Sequence, residues 1–227
     1  MSRELTVLSI DFDFFQVVDK HTILNYYPDG VDLPTELTEF IWGSHYNSPR
    51  AEEREKLLRV NIDRQLLIDL INIVVNNSYS GTKLMAANSH KHIYNFISDE
   101  LSSNNYDSVR IYNVDMHPDY KNSNTKLDCG NWLGKAVKDF KNCKATWIHN
   151  PISLELMAEE NYKGLERRKT FKCLEKVSPD LVYICRSDTW TPPHLDNHFN
   201  DLLYTLAEYI PRNKVEHSVM SIRQCKI

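Results

Sequence analysis

The chain has 227 residues, 41% hydrophobic and 26% charged, a balance that suits a single globular domain over residues 1–227 with a sizeable core. A net charge of −4 and a pI near 6.1 argue against nucleic acid as a partner, because a phosphate-tracking surface needs clustered Lys and Arg. Six glycines are too few for a Gly-rich phosphate loop or a flexible linker, and five widely spaced cysteines without a C-x-x-C pair fit neither a disulfide framework nor a zinc knuckle.

At the start, acids interrupt the apolar run of MSRELTVLSIDFDFF, so a signal peptide is not expected. No window approaches the roughly 18–20 apolar residues of a membrane helix. A cytoplasmic location without a membrane partner is the expectation. Leu5 to Ile10 reads as a strand that empties into Asp11-Phe-Asp13-Phe-Phe. A long helix is predicted from about Arg50 to Asn77, where Leu57, Leu58, Ile62, Leu66, Leu70, Ile71 and Val74 recur at steps of three and four.

Next come a strand at Lys83–Ala87, a helix from about His90 to Leu101, and a strand at Val109–Val114. A helix near Trp132–Phe140 precedes a short strand at Ala145–His149, and a further helix is predicted over roughly Glu155–Glu175. Asp180–Cys185 reads as a strand, followed by a helix from about His194 to Tyr209. Strands alternating with helices predict an α/β fold in three layers, α/β/α, around a mostly parallel sheet.

In open parallel sheets, ligands bind outside the carboxyl ends of the strands. Four predicted strands end in unusual polar residues: Asp11 and Asp13; Asn88, Ser89 and His90; Asp115, His117 and Asp119; Ser187 and Asp188. Carboxylates gathered at one edge repel each other and resist desolvation unless a cation compensates. Divalent metal reconciles them most simply, and carboxylates with one or two imidazoles suit Mn²⁺ and related octahedral ions. Six donors exceed the needs of one ion, so two ions sharing carboxylates, with a solvent nucleophile between them, are expected. Each residue alone has a plainer reading. A strand-end Asp is usually a turn former or helix cap, Asp119 could cap a turn at Pro118, and His90 could open a helix.

Together these residues resemble the ureohydrolase (arginase and agmatinase) superfamily, which shares its fold with the histone deacetylases. The family's D-x-H-x-D segment appears as Asp115-Met-His117-Pro-Asp119, its S-x-D-x-D segment as Ser9-Ile-Asp11-Phe-Asp13, and its strand-end histidine as Ala87-Asn-Ser-His90. VDMHPDY, IDFDFF, CGNWLG and RSDTWTPP are closer still to a small ureohydrolase-like family that includes peptide arginases. The resemblance implies an arginase/deacetylase-like fold and two Mn²⁺ held by Asp11, Asp13, His90, Asp115, His117 and Asp119. It also implies catalytic roles for Asp115, His117 and Asp188, and substrate binding by Asn131, Asp188 and Trp190. The substrate would be an arginine-containing ribosomal precursor peptide, converted to its ornithine form with release of urea.

The sequence departs from the family twice. The D-x-D strand precedes D-x-H-x-D instead of following it, a permuted order. Gly130-Asn131-Trp132 lacks the histidine of the family's G-N-x-H stretch, which leaves His45, His92 and His149 as open candidates for proton transfer. Other readings stand beside the first. Cys185-Arg-Ser-Asp188 resembles the deacetylase stretch that supplies an aspartate to a single zinc, which would join Asp188 to Asp115 and His117. The substrate could instead be free arginine or agmatine. A module that binds calcium or a basic peptide is a further alternative, and the two imidazoles disfavour its calcium version. A phosphoesterase would need basic groups, for which Arg186 and Lys91 are the near candidates. The aromatics Tyr26, Tyr27, Phe40, Trp42, Trp132 and Trp190 suit either a peptide groove or the core.

Overall fold

A computed structural model of the chain describes residues 3–28, 33–121, 126–157, 162, 164–211 and 215–217. In chain order the strands are β1 (Glu4–Asp11), β2 (Gln16–Val17), β3 (Asn61–Ile62), β4 (Lys83–Ala87), β5 (Ser108–Val114), β6 (Cys143–Ile148), β7 (Glu166–Arg168), β8 (Leu181–Cys185) and β9 (Val215–His217). The helices are α1 (Lys20–Tyr26), α2 (Thr35–Tyr46), α3 (Ala51–Arg59), α4 (Arg64–Asn77), α5 (His92–Ser103), α6 (Trp132–Asp139), α7 (Pro151–Leu156) and α8 (Asp196–Tyr209).

Seven strands form one sheet in the order β7-β6-β5-β1-β8-β4-β9, and every neighbouring pair is parallel. A parallel sheet buries both faces, which is why β1 and β8 read as almost unbroken apolar runs. Alternate residues of β1 serve opposite layers. Leu8 and Ile10 pack with Leu67, Leu70 and Val74 of α4 and with Leu202 and Leu206 of α8. Leu5 and Val7 pack with Ile93 and Ile97 of α5 and with Leu133 and Ala136 of α6. The architecture is the expected three-layer α/β/α. Among the described residues no helix is long and apolar enough to cross a membrane.

Two predicted helices are corrected. The 50–77 helix is divided into α3 and α4 by Val60–Asp63, where β3 pairs antiparallel with β2 and the Asp63 amide donates to the Phe15 carbonyl at 2.7 Å. The hydrophobic period runs across the break because its halves serve different clusters: Leu57 packs with Trp42 and Tyr46, whereas Leu67 and Leu70 join the sheet. Asp63 starts the second helix, its Oδ1 accepting from the Leu66 amide at 2.9 Å. Replacing Asp63 with alanine should lower stability by about 1 kcal/mol, read as a fall in the urea midpoint at unchanged slope.

Among the described residues the 155–175 helix does not form either. In its place stand α7 and, further along, β7 at the sheet edge and a single 3-10 turn at Phe171–Leu174. Gly164 lies between them with φ of +90°, a left-handed conformation that no α-helix accommodates. The helices α1 and α2 lie where the sequence predicted no element.

Candidate metal centre

The four strands with polar ends are neighbours in the sheet, β5-β1-β8-β4. Because they are parallel, their carboxyl ends share one edge. β1 sits directly beside β5, which brings Asp11 to Asp115.

Local backbone chemistry turns each side chain into the edge. Asp11 ends β1 and caps the 3-10 turn Phe12–Phe15, its Oδ1 accepting from the Asp13 amide at 3.3 Å. Residues 115–119 do not continue β5, so the alternating pattern there is not that of a strand. Asp115 Oδ1 accepts from the His117 amide at 2.7 Å, which curls the chain at once. Asp119 adopts a left-handed φ of 47°, and its carbonyl receives the Leu133 and Gly134 amides at 3.1 and 3.3 Å, where α6 begins. Gly134 also passes close to the chain just after Asp119: a Cβ there would stand 3.0 Å from the Lys121 carbonyl oxygen, tighter than an ordinary contact.

All six predicted ligands converge. His90 Nδ1 lies 2.9 Å from Asp119 Oδ2, 3.1 Å from Asp11 Oδ2 and 3.2 Å from Asp115 Oδ2. His117 Nδ1 lies 3.0 Å from Asp13 Oδ2 and 3.8 Å from Asp115 Oδ1. Donor atoms therefore gather as His90–Asp115–Asp119 and as Asp13–Asp115–His117, with Asp115 common to both. Its two oxygens face different histidines.

Two atoms test whether a cation belongs here. His90 Nδ1 and Asp13 Oδ2 are buried without a hydrogen-bond partner. Such groups are costly unless something else satisfies them. A ring nitrogen close to three carboxylate oxygens, yet hydrogen-bonded to none, is arranged as ligands are around a positive centre. The donors are oxygen and imidazole nitrogen, the set that suits Mn²⁺ and its neighbours. The residues fit bound metal.

The electrostatics agree. Burial, followed by repulsion from Asp11 and Asp115, pushes the Asp13 carboxyl up to about 7. Burial and Asp115 likewise raise Asp11 and Asp119. Burial opposes charge on His117, but Asp13, Asp115 and Asp119 overcome it and lift the imidazole to about 9. Without metal, protons take the place of the missing positive charge.

A ring of partners aims the ligands. Ser9 Oγ meets His90 Nε2 at 2.6 Å, and the ring stacks on Tyr183 at 5.7 Å. In the tautomer that donates to Ser9, Nδ1 presents its lone pair to the cluster. Asn113 Nδ2 donates to Asp115 Oδ2 at 3.1 Å, and Trp147 Nε1 to the Asp115 carbonyl at 2.9 Å. Trp132 Nε1 donates to Asp119 Oδ2 at 2.7 Å. Trp132→Phe keeps the packing and removes that bond, so metal affinity should fall roughly 10–100-fold with the fold intact, as isothermal titration would read. Asn113 and Trp132 carried no such role in the sequence reading. A buried polar residue on the same strand face as Asp115, two positions earlier, was the available signal for Asn113.

The remaining predicted site residues are placed differently. The Asp188 carboxylate accepts from Arg186 Nε at 2.6 Å and Nη2 at 3.0 Å, and from Thr35 Oγ1 at 3.3 Å. It therefore faces an internal cation and joins none of the donor groups found among the described residues. The single-zinc arrangement of Asp188 with Asp115 and His117 does not form, and Arg186 is tied to Asp188. The Asn131 side chain is held within its own loop, by Asp128 and by the Lys126 carbonyl at 2.8 Å. Trp190 packs on the His117 ring at 4.5 Å. Trp42 and Trp132 are core residues. Of the three proton-transfer candidates, His92 alone lines the cavity beside the cluster, and His149 is buried against Trp147.

The cluster adjoins a chamber of about 40 Å³ lined by Asp11, His90, His117 and Asp119, room for about three water-sized species. His90, Cys129, Ser187 and Trp190 also line an outer cavity of about 330 Å³, together with Thr35, Asn88, His92 and Asp188.

Fold and site together define an α/β protein with a buried aspartate–histidine cluster at the carboxyl edge of its parallel sheet, able to hold metal ions. No family model matches the chain, and neither a curated protein nor a solved structure matches it.

Proposed function

We propose that the chain is a two-metal hydrolase that cleaves the guanidinium of arginine residues in a ribosomal precursor peptide, yielding ornithine and urea. One observation carries the reading: Asp115 presents one carboxylate oxygen to His90 and the other to His117, between two donor groups. The resemblance of the D-x-H-x-D, S-x-D-x-D and strand-end histidine segments to the ureohydrolases supports the reaction type. The excess of carboxylates at the sheet edge supports a cationic substrate.

When bound, two Mn²⁺ ions would supply hydroxide near neutral pH and electrostatic stabilisation for the charge redistributed over oxygen and nitrogen as it adds to the guanidinium carbon. Within the chain, His90, Asp11 and Asp119 would hold one ion and Asp13 with His117 the other, Asp115 serving both. Trp190, against His117, walls one side of the approach. Asp188 lines the outer cavity and would meet the substrate there as half of an ion pair with Arg186. Holding the guanidinium carbon within attack distance supplies part of the rate.

Incubation of the purified chain with Mn²⁺ and an arginine-containing peptide should remove about 42 Da per arginine, the difference between the water gained and the urea lost, with urea detected in equal amount. Urea from free arginine or agmatine but not from peptide would transfer the activity to the small substrates. No urea from any of the three, in protein verified to be metal-loaded, would overturn the reading.

A further inference from the structure

Cys185 ends β8 directly beside Asp11 in the strand register and is fully buried. Its Sγ, an Asp11 carboxylate oxygen and a His90 ring nitrogen all lie within 4.8 Å of one another. The thiol belongs to neither oxygen-rich group, and manganese-type ions, served by carboxylate, imidazole and water, have no need of it. A second observation points to a ligand. His90 Nδ1 is buried without a hydrogen-bond partner and stands 3.1 Å from Asp11 Oδ2.

We propose that Asp11, His90 and Cys185 form a soft-ion site that takes Zn²⁺ or Cd²⁺ in competition with the oxygen-rich site. The proposal rests on the reading of Asp11 and His90 as metal ligands. Thiolate sulfur prefers zinc-group ions, whereas Mn²⁺ prefers oxygen. Zn–S and Zn–N bonds of about 2.3 and 2.05 Å at a tetrahedral angle place sulfur and nitrogen about 3.6 Å apart, compatible with donors that all lie within 4.8 Å of one another. On binding, the S–H bond breaks, the proton leaves to solvent and a sulfur–metal bond forms, with no change of oxidation state. Such an ion withdraws His90 and Asp11 from the other set, so zinc-group ions inhibit at this position and the thiol sets how strongly.

The test titrates the metal-free full chain with Cd²⁺ alone and follows the ultraviolet sulfur-to-cadmium charge-transfer band. The band should appear with the first equivalent in the parent and in Asp13→Ala, which lacks a donor of the other group only. It should be absent at the first equivalent in Cys185→Ser and Cys185→Ala, with Cd²⁺ affinity at least about tenfold lower, the smaller effect seen when even an outer partner is lost. Manganese content of the Cys185 variants, measured by elemental analysis, should equal the parent's. A band that survives the Cys185 substitutions, no band in the parent at one equivalent, or loss of manganese together with the band would each overturn the proposal. The band requires no turnover: absence of urea release with the band intact would sink the proposed reaction and leave this site standing.

Discussion

Replacing Asp115 with alanine should empty both proposed metal positions, whereas Asp13→Ala and Asp119→Ala should each empty one. The expectation follows from geometry: Asp115 Oδ2 is 3.2 Å from His90 Nδ1 and Asp115 Oδ1 is 3.8 Å from His117 Nδ1, while Asp119 approaches only the first histidine and Asp13 only the second at ion-pair distance. Elemental analysis of Mn²⁺-dialysed protein should return two ions per chain for the parent, one for each outer variant and none for Asp115→Ala. If the proposed urea release is observed in the parent, it should fall in Asp115→Ala by more than the roughly 100-fold that marks the upper range for outer partners, because here a direct donor is lost. Because Asp115 also accepts from the His117 amide and from Asn113 Nδ2, near-ultraviolet circular dichroism would verify that the variant is folded. One ion retained in Asp115→Ala would show that the two positions share nothing.

Asp13→Asn should stabilise the metal-free protein and lessen its rescue by metal. The folded-state pKa of Asp13 is raised from 3.8 to about 7 by burial and then by Asp11 and Asp115. A carboxyl raised in this way contributes fully below the unfolded pKa, and its contribution is lost as pH rises through the folded pKa. At pH 8 the penalty is on the order of 4 kcal/mol, from a shift of about 3 units at 1.36 kcal/mol each. Asparagine, which cannot ionise, escapes it. In a chelator at pH 8 the variant should melt several degrees above the parent, and the gap should close as pH falls toward 4. His117, raised to about 9, works in the same direction: its contribution is complete below 6.5 and is lost through 9, so the empty parent weakens progressively toward alkaline pH. Mn²⁺ should restore the parent at pH 8 more than at pH 6, because bound metal displaces these protons. A chelated variant that melts below the parent at pH 8 would refute the argument.

These consequences were partly legible in the sequence. Apolar runs ending in Asp11, His90, Asp115 and Asp188 announce strand ends, and helices between them announce a parallel sheet, so the shared edge follows from local pattern and one topological rule. What stayed hidden depends on conformation or on distant partners. The break at Val60–Asp63 is masked because both halves keep a helical period, and only pairing with Gln16–Val17 decides it. Asp188 reads as a free carboxylate until the turn at Ser187, with φ of 56°, lets Arg186 reach back to it. Asp119 reaches the cluster through a left-handed residue and a close approach at Gly134, which an alternation of polar residues on a strand would not produce. The separate roles of Ser9 and Trp132 need three-dimensional neighbours 81 and 13 residues away.

His90, Cys129, Ser187 and Trp190 line both the chamber of about 40 Å³ and the outer cavity of about 330 Å³, so the two adjoin across those four residues. On the proposed reaction, a side-chain tip would be the part of a substrate that fits beside the carboxylates, with the rest of it held in the larger space.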